Sequence, residues 1–534
     1  MNMIEGYKVW NPYLTKEMCR RRIGDREVFT FRNTRNNYYE ILEDTAERFR
    51  DKTAFCDNWG RCYTYREFLG LVDSMAEYLG ELGVKRGSHV GLLLHNSVEF
   101  CTVFYAVCKL GAVSVPFPSK YREPEIRALI EKADLSFLFC AEQFREWVRG
   151  YEEQGTVIRY SIDEENGFGF RHLALRPGRR GGSRGALTDE VIMMFTSGTT
   201  SASKGVVLKN YNIIHAAMIY QRLCQITPED KTIIPVPIYH ITGLIALLGL
   251  FVYAGGTVYL YRRYDARRIL TCIAEHQITF MHGSPTVFGL LLDYRTEFPA
   301  LPSIRTLLCG SSYMPDDKMR QLHSWMPTMK LMTVYGMTET ASPGTLFPYD
   351  AATSIYSASA GKPIPGLELK IVDEDGKEQG AGQAGTVLLR GTNILEYYYH
   401  MQTGLLSPDG WLDTGDVGYV NEEGYVFFVD RKKDMINRGG EKIWCNDVEN
   451  ELVSLEGIKD AAVVGVASEK YGEAAAAAVV LEEGAALTEE ELQKRLLARM
   501  ARYKVPERIL FLEEIPKTPG MKTDKRYIRT LFDT

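Results

Sequence analysis

"FTSGTTSASKG", Phe195–Gly205, decides how this chain is read. The stretch is dense in hydroxyls and small residues and closes on a Lys-Gly pair, the composition of a loop that wraps phosphates. Its hydroxyls and backbone N–H groups can form an anion nest, and Lys204 adds a point charge. It follows the apolar run "VIMMF" and precedes "VVLKN". It is not a Walker loop, because no Gly-Lys pair is followed by Ser or Thr. On its own the stretch reads equally well as a polar surface turn, so the rest of the chain has to decide.

With 534 residues the chain exceeds what one core usually supports, so at least two domains are expected. It is 45% hydrophobic and 25% charged, an ordinary globular balance. The formal net charge of −6 points to neither a nucleic-acid nor a membrane-surface partner. The ten cysteines form no CxxC pair and no Cys/His cluster of zinc spacing. They read as core thiols of a reducing compartment. The N-terminal stretch has no apolar signal core. The longest apolar run, "ITGLIALLGLFVYA" (Ile241–Ala254), is too short for a membrane span and is expected to be a buried helix. Together these features predict a cytoplasmic protein.

From about residue 37 to 170, amphipathic helices alternate with short apolar strands. "YREFLGLVDSMAEYLGELG" has helical spacing, "HVGLLLH" reads as a buried strand, and "SVEFCTVFYAVCKLG" and "AVSVPF" follow as helix and strand. That rhythm predicts α/β layers around parallel sheet. "RPGRRGGSRGALTDE" (Arg176–Glu190) reads as a connection, and a second α/β region runs from about 191 to 345. From about 361 to 430, short strands and turns predict a β-rich subdomain. After "RKKD" (Arg431–Asp434) about 100 residues remain, enough for a small α+β domain. The expected division is a large N-terminal domain, 1–432, and a C-terminal lid domain, 433–534, hinged near Lys433.

Several short motifs carry chemistry in combination. In "VYGMTET" (Val334–Thr340), Tyr335 offers a ring for a base, Thr338 a hydroxyl, and Glu339 a hard oxygen ligand suited to Mg²⁺. Alone it reads as a strand-end turn. "GWLDTGDVGYV" (Gly410–Val420) sets Asp416 between two strands, where a carboxylate can bind both ribose hydroxyls or simply close a turn. "DRKKDMINRGGEKI" (Asp430–Ile443) is a charge run, usually a solvated face. Its Gly439 and Gly440 suit a ligand passing close to backbone. "IPKTPGMKTDK" (Ile515–Lys525) is a basic loop of the kind often found in exposed tails. "GGSRG" (Gly181–Gly185) matches the hydrolase pattern G-x-S-x-G but has no strand before it, so a catalytic Ser183 is not expected.

In this order and spacing the motifs resemble the adenylate-forming (AMP-binding) superfamily of acyl-CoA synthetases, peptide-synthetase adenylation domains and firefly luciferase. The resemblance spans about residues 37 to 530. It implies an ATP-dependent carboxylic acid–CoA ligase that works through an acyl-adenylate, with ATP, Mg²⁺ and coenzyme A as cofactors. It implies pyrophosphate contacts from Thr196, Ser197, Gly198, Thr199, Thr200 and Lys204. Ser201 and Ser203 replace the Gly and Pro usual in this loop. His240 of "PIYHITG" falls beside the acyl and nucleotide sites, and Ser311 and Ser312 of "CGSSYMP" fall on adenine. Tyr335 with Gly336, Thr338 and Glu339 match adenine stacking, the α-phosphate and the metal. Asp416 and Arg431 match the ribose contacts. Gly439 and Gly440 match the strand lining the pantetheine channel. Lys522 matches the lysine of the adenylation step, although Met521 stands where the family has Gly.

The acyl pocket implied by the resemblance draws on His240, the stretch Met281–Pro285 and the region Gly336–Pro343, a mixed lining that suits an aryl, branched or medium-chain acid. No carrier motif is visible, which favours CoA as acceptor. A standalone ligase loading a carrier protein's phosphopantetheine thiol is the alternative, and a non-catalytic nucleotide-binding relative is a third reading. A homodimer is compatible with all three.

Overall fold

The computed structural model describes residues 3–153, 158–162, 178, 182–196, 203–431, 434–439, 441–468, 470–518 and 522–532. Ser197, Gly198, Thr199, Thr200, Ser201, Lys433, Gly440 and Met521 lie outside the described residues. Among the described residues, two large sheets carry the N-terminal part. One has seven strands in the order Tyr398–Tyr399, Gly205–Lys209, Glu190–Phe195, Val113–Pro116, His89–Leu93, Phe137–Ala141 and Ile158–Ile162. It is parallel from Glu190–Phe195 onward and antiparallel at its first two strands. The other has nine strands, with a parallel centre that includes Lys330–Tyr335, Thr306–Cys309, Phe280–Gly283 and Lys231–Ile234. One end of that sheet is Lys362–Pro363 and the other is Cys62–Thr64.

The helix Val98–Leu110 shows how the sequence builds the layer between these sheets. Its sequence, VEFCTVFYAVCKL, is apolar nearly all round, and every one of its residues is buried. Ser97 caps its start by accepting a hydrogen bond from the Phe100 N–H, and Gly111 ends it at φ 68°. The run Ile241–Ala254 is helical and buried as its composition demands. It opens with a π-helical segment, Thr242–Gly249, and continues as the α-helix Leu250–Ala254.

The region from about 361 to 430 forms an antiparallel sheet of Leu367–Val372, Gly385–Gly391, Leu412–Val420 and Val426–Arg431, with Met3–Glu5 added at its edge. The C-terminal part is a smaller α+β unit. Ile458–Ser468 and Gly472–Leu481 pair at its centre, and its apolar clusters are separate from the large N-terminal core. The fold is therefore mixed α/β, with a large N-terminal and a smaller C-terminal domain.

The cysteine expectation needs correction. Cys56 and Cys62 are joined by a disulfide across the hairpin Thr53–Asp57/Cys62–Thr64, where they are register partners with Cα atoms 4.2 Å apart. The turn through Gly60 (φ 80°) brings the two residues opposite each other, which five intervening positions do not announce in the sequence. Of the remaining cysteines Cys19 is half-buried, and Cys101, Cys108, Cys140, Cys224, Cys272, Cys309 and Cys445 are buried thiols.

Three helices meet on one buried charge. Asp73, on the helix Tyr65–Glu81, accepts hydrogen bonds at Oδ1 from Lys109 Nζ and from the Tyr39 hydroxyl, both at 2.7 Å. Lys109 also lies over the Tyr39 ring at 4.6 Å. Asp73 is 2% exposed and Lys109 7%. Removing one partner leaves the other charge stranded in the core. Lys109→Met is therefore expected to cost about 3–5 kcal/mol of stability. Adding Asp73→Asn should recover part of that loss. Thermal and denaturant unfolding of both variants check it, and an unchanged midpoint in Lys109→Met would remove this pair from the account of stability.

Candidate active site

The site begins at the edge of the seven-stranded sheet. Glu190–Phe195 and Gly205–Lys209 pair antiparallel, Phe195 opposite Gly205, and the Thr196 N–H donates to the Lys204 carbonyl at 3.0 Å. The hydroxyl-rich stretch is thus flanked by two antiparallel strands rather than by a strand and a helix, the setting of a Walker loop. The next strand, Tyr398–Tyr399, pairs with Val206 and Gly205. A Cβ on Gly205 would lie 3.0 Å from the Tyr399 Cβ, so glycine permits the close pairing.

That pairing sets Tyr398 between two charges. Lys204 Nζ lies over the Tyr398 ring at 5.5 Å, and the Tyr398 hydroxyl donates to Glu339 Oε1 at 3.2 Å. Glu339 sits in the 3-10 turn Thr338–Thr340 that follows the strand Lys330–Tyr335. The turn is fixed from both sides. Ala341 and Ser342 take left-handed backbone at φ 50° and 99°, and a Cβ on Gly336 would fall 1.5 Å from the Ser342 carbonyl oxygen. Glu339 is 7% exposed, and burial raises its carboxyl above the ordinary range while Tyr398, Lys204 and Arg431 pull it down.

A second cluster faces this one. Tyr335 donates its phenol hydrogen to Asp416 Oδ2 at 2.5 Å and stacks on Phe428 with centroids 3.8 Å apart. Asp416 and Arg431 are register partners on adjacent strands, Leu412–Val420 and Val426–Arg431, and Arg431 Nε lies 3.2 Å from Asp416 Oδ1. Asp416 is 6% exposed. A buried carboxylate between a phenol and a guanidinium is held in one orientation, as recognition of vicinal hydroxyls requires. Ser311, at φ 74°, and Ser312 lie exposed after Gly310, whose N–H donates to the Gly283 carbonyl.

His240 closes the turn Pro237–His240 and precedes the π-helical segment. Its Nε2 is buried without a hydrogen-bond partner. Burial, with the charges of Lys522 and Lys120, lowers its pKa to about 3. The ring is therefore neutral at physiological pH. The charge of Lys522, next to the C-terminal loop, is thus felt at His240 of the N-terminal part. Thr518 and Lys522 are joined twice, the Thr518 N–H donating to the Lys522 carbonyl at 2.7 Å and the Lys522 N–H to Thr518 Oγ1 at 3.3 Å. Gly439 packs within the C-terminal unit instead, at φ 60°, its N–H donating to the Tyr471 carbonyl.

Lys204, Glu339, Thr338, Tyr335, Asp416 and Arg431 thus come together from motifs far apart in the chain. Sequence reasoning missed Tyr398, Phe428 and Lys120. The tyrosine run "EYYYH" (Glu396–His400) was the available signal for the first. Among the described residues no group of three or more His, Cys, Asp or Glu could hold a metal. The buried carboxylate of Glu339, with Lys204 across the Tyr398 ring, fits Mg²⁺, which commonly takes one or two carboxylates and completes its shell with substrate phosphates and water. Ser183 accepts a hydrogen bond from Asn37 Nδ2 and has no strand-to-helix elbow. No helix among the described residues is long and apolar enough to cross a membrane.

Comparison with known proteins agrees in extent and geometry. The AMP-binding enzyme family model matches residues 42–399, and the model of the AMP-binding enzyme C-terminal domain matches 447–522. Indoleacetate–CoA ligase of Aromatoleum aromaticum is 30% identical over 480 residues, 88% of this chain and 93% of that one. A long-chain-fatty-acid–CoA ligase of Mycobacterium tuberculosis is 28% identical, with the same coverage. ATP-bound MatB from Rhodopseudomonas palustris superposes with a TM-score of 0.86 at 25% identity, covering 93% of this chain and 99% of that one. The o-succinylbenzoate CoA synthetase of Bacillus subtilis, in complex with its acyl-adenylate, gives 0.81 at 26% identity, covering 93% and 98%.

The raised carboxyl of Glu339 has a definite sign. The folded chain holds that proton more tightly than the unfolded chain, so stability falls as pH rises from the ordinary value of 4.5 through the raised one. At pH 7 the ionised carboxylate burdens the ligand-free fold. Glu339→Gln is expected to raise the ligand-free melting temperature at pH 7 by about 2 °C, the scale of roughly 1 kcal/mol or less. The gain should vanish toward pH 3, well below the ordinary value of 4.5, where the carboxyl is protonated in both states. Thermal scans at both pH values check it, and a Gln variant less stable at pH 7 would overturn the reading of Glu339 as a carboxyl raised by burial.

Proposed function

We propose that this chain, which belongs to the AMP-binding enzyme family, is an ATP-dependent acid–CoA ligase, with Lys204, Glu339, Asp416 and Lys522 as the charges that carry its first half-reaction. The observation that carries this reading is the convergence of Lys204, Tyr398 and Glu339 beside Tyr335, Asp416 and Arg431, with the charge of Lys522 reaching His240.

The chemistry explains the charges. A carboxylate does not acylate a thiol, because its leaving group would be an oxide. In the first half-reaction a carboxylate oxygen attacks the α-phosphorus of ATP, the bond to the β-phosphate oxygen breaks, and pyrophosphate leaves. Both reactants are anions, so cationic groups and donors must stand where charge accumulates. Lys204 and the Thr196 side of the hairpin hold the pyrophosphate end, Lys522 reaches the α-phosphate, and Asp416 holds the ribose. Mg²⁺ on Glu339 would neutralise phosphate oxygens. Neutral His240 sits beside the carboxylate without pairing with it as a cation. In the second half-reaction the CoA thiol, losing its proton to solvent, attacks the acyl carbon and AMP leaves. Rotation of the C-terminal domain about the region of Lys433 would withdraw Lys522 and bring Gly439 and Gly440 to the thiol path.

The direct test is acid-dependent AMP release, with and without CoA, across a panel of carboxylic acids. Release that depends on both acid and CoA supports the reading. Thioester formation only on a phosphopantetheinyl carrier protein would replace CoA as the acceptor. Lys522→Ala separates the half-reactions. It is expected to slow pyrophosphate–ATP exchange by about 100-fold or more. The same variant should still convert supplied acyl-adenylate and CoA to thioester near the wild-type rate. Equal loss of both steps would refute a role confined to adenylation.

A further inference from the structure

The hairpin of Met18–Ile23 and Arg26–Phe31 is fastened beside the end of the strand Gly385–Gly391, where the Thr392 hydroxyl donates to the Phe29 carbonyl at 2.9 Å. Between the hairpin, that strand and the turn 406–410 opens a cavity of about 470 Å³. Small-molecule sites typically enclose about 300–1,000 Å³. None of Lys204, His240, Glu339, Asp416 and Arg431 lines this cavity, so it is separate from the reaction centre. Part of its lining is apolar, supplied by Val28, Phe29, Leu395, Leu406 and Pro408. The Phe29 ring is held there by Tyr7, with centroids 4.5 Å apart.

Arg26 is the charge in this cavity that the fold leaves without an ion partner. It is half-buried, and its Nη1 donates to the Tyr211 hydroxyl and to the Ile394 carbonyl, both at the long distance of 3.4 Å. Among the described residues it makes no ion pair, and its Nε and Nη2 make no hydrogen bond. The other charges of the lining are matched. Glu396 accepts from Lys209 Nζ and from the Tyr211 hydroxyl, each at 2.7 Å. Glu368 accepts from Arg390 Nε at 2.7 Å and from Nη2 at 2.6 Å. Asp409 Oδ1 accepts from the Ser407 hydroxyl at 2.6 Å. Nε and Nη2 of Arg26 form one edge of a planar guanidinium, a fork that fits the two oxygens of a carboxylate. Gly410, at φ 84°, keeps that edge accessible, because a Cβ there would lie 3.2 Å from Arg26 Nη2.

We propose that this cavity is a second ligand site, which takes a small monocarboxylate with an apolar body, its carboxylate forked on Nε and Nη2 of Arg26 and its body against Phe29 and Leu406. The charges of the lining restrict the ligand to one negative charge. Glu368, Glu396 and Asp409 border the same space, so a nucleotide or a dicarboxylate meets repulsion that one guanidinium does not offset. An uncharged analogue loses the match to Arg26, and an acid without an apolar body leaves the hydrophobic lining in water. The site stands apart from the reaction centre and does not depend on the ligase reading.

The test is calorimetric titration of the full chain, without nucleotide, using 4-phenylbutyrate, 4-phenylbutyramide and phenylsuccinate. Phenylbutyrate is expected to bind, and the amide and the dianion to bind about tenfold more weakly or worse, the scale of hydrogen bonds to a charged group. Arg26→Gln should weaken phenylbutyrate by a similar factor. Leu406→Glu, which sets a carboxylate in the apolar lining, should do the same and covers the case in which the first variant fails to fold. A folded variant of either kind should keep acid-dependent pyrophosphate–ATP exchange, which separates this cavity from the site where the acid reacts. A crystal structure of the complex should show the phenylbutyrate carboxylate on Arg26. No binding, an amide that binds as tightly as the acid, affinity unchanged in both variants, or joint loss of binding and exchange in a folded variant overturns the assignment. A wild-type chain that binds phenylbutyrate at Arg26 but shows no exchange with any acid overturns the ligase reading and supports this one.

Discussion

The pairing of Tyr398 with Val206 and of Tyr399 with Gly205 is the contact on which the site depends. It is a two-residue strand laid on the edge of a seven-stranded sheet, and it joins segments nearly two hundred positions apart in the chain. Without it Lys204 would be the end of a polar hairpin and Glu339 a buried carboxylate with no donor. With it, one phenol spans both. The contact also shows what a missing side chain can do. Gly205 lets the two backbones approach, and the approach delivers the hydroxyl.

The architecture was readable because it is written in local periodicity. The alternation of apolar runs with amphipathic helices between residues 37 and 170 gives parallel sheet and buried helix, and Val98–Leu110 is apolar nearly all round because layers cover it on all sides. The change to short strands after residue 361 gives the antiparallel sheet in the same way. Lys204, Glu339, Asp416 and Lys522 could be singled out because they sit in motifs whose order along the chain is informative. Tyr398 and Phe428 could not, since each takes its meaning from a partner supplied by tertiary packing. The Cys56–Cys62 bridge was hidden for a related reason, because opposition across a hairpin is set by the turn between the residues.

Asp73, Lys109 and Glu339 show two kinds of buried charge. Asp73 and Lys109 satisfy one another inside the helical layer, and Tyr39 completes the set. Their work ends with folding. Glu339 is arranged differently: it is enclosed, and burial holds its carboxyl above the ordinary range although Tyr398, Lys204 and Arg431 pull it down. Such an unmet demand is tolerated by a fold whose large core carries the stability.

The two ends of the nine-stranded sheet bear on a different problem, the fate of the protein at high concentration. One end is closed by Cys62–Thr64, three residues tied back to its neighbour by a disulfide, and the other by Lys362–Pro363, where the proline has no N–H to offer. Neither border presents a long row of free backbone donors and acceptors. A sheet this wide would otherwise invite a second molecule to add its own strand, and stubby, bridged or donor-poor borders are how β-proteins avoid such stacking. The consequence is colloidal: this broad scaffold is guarded against growing into a fibre edge to edge.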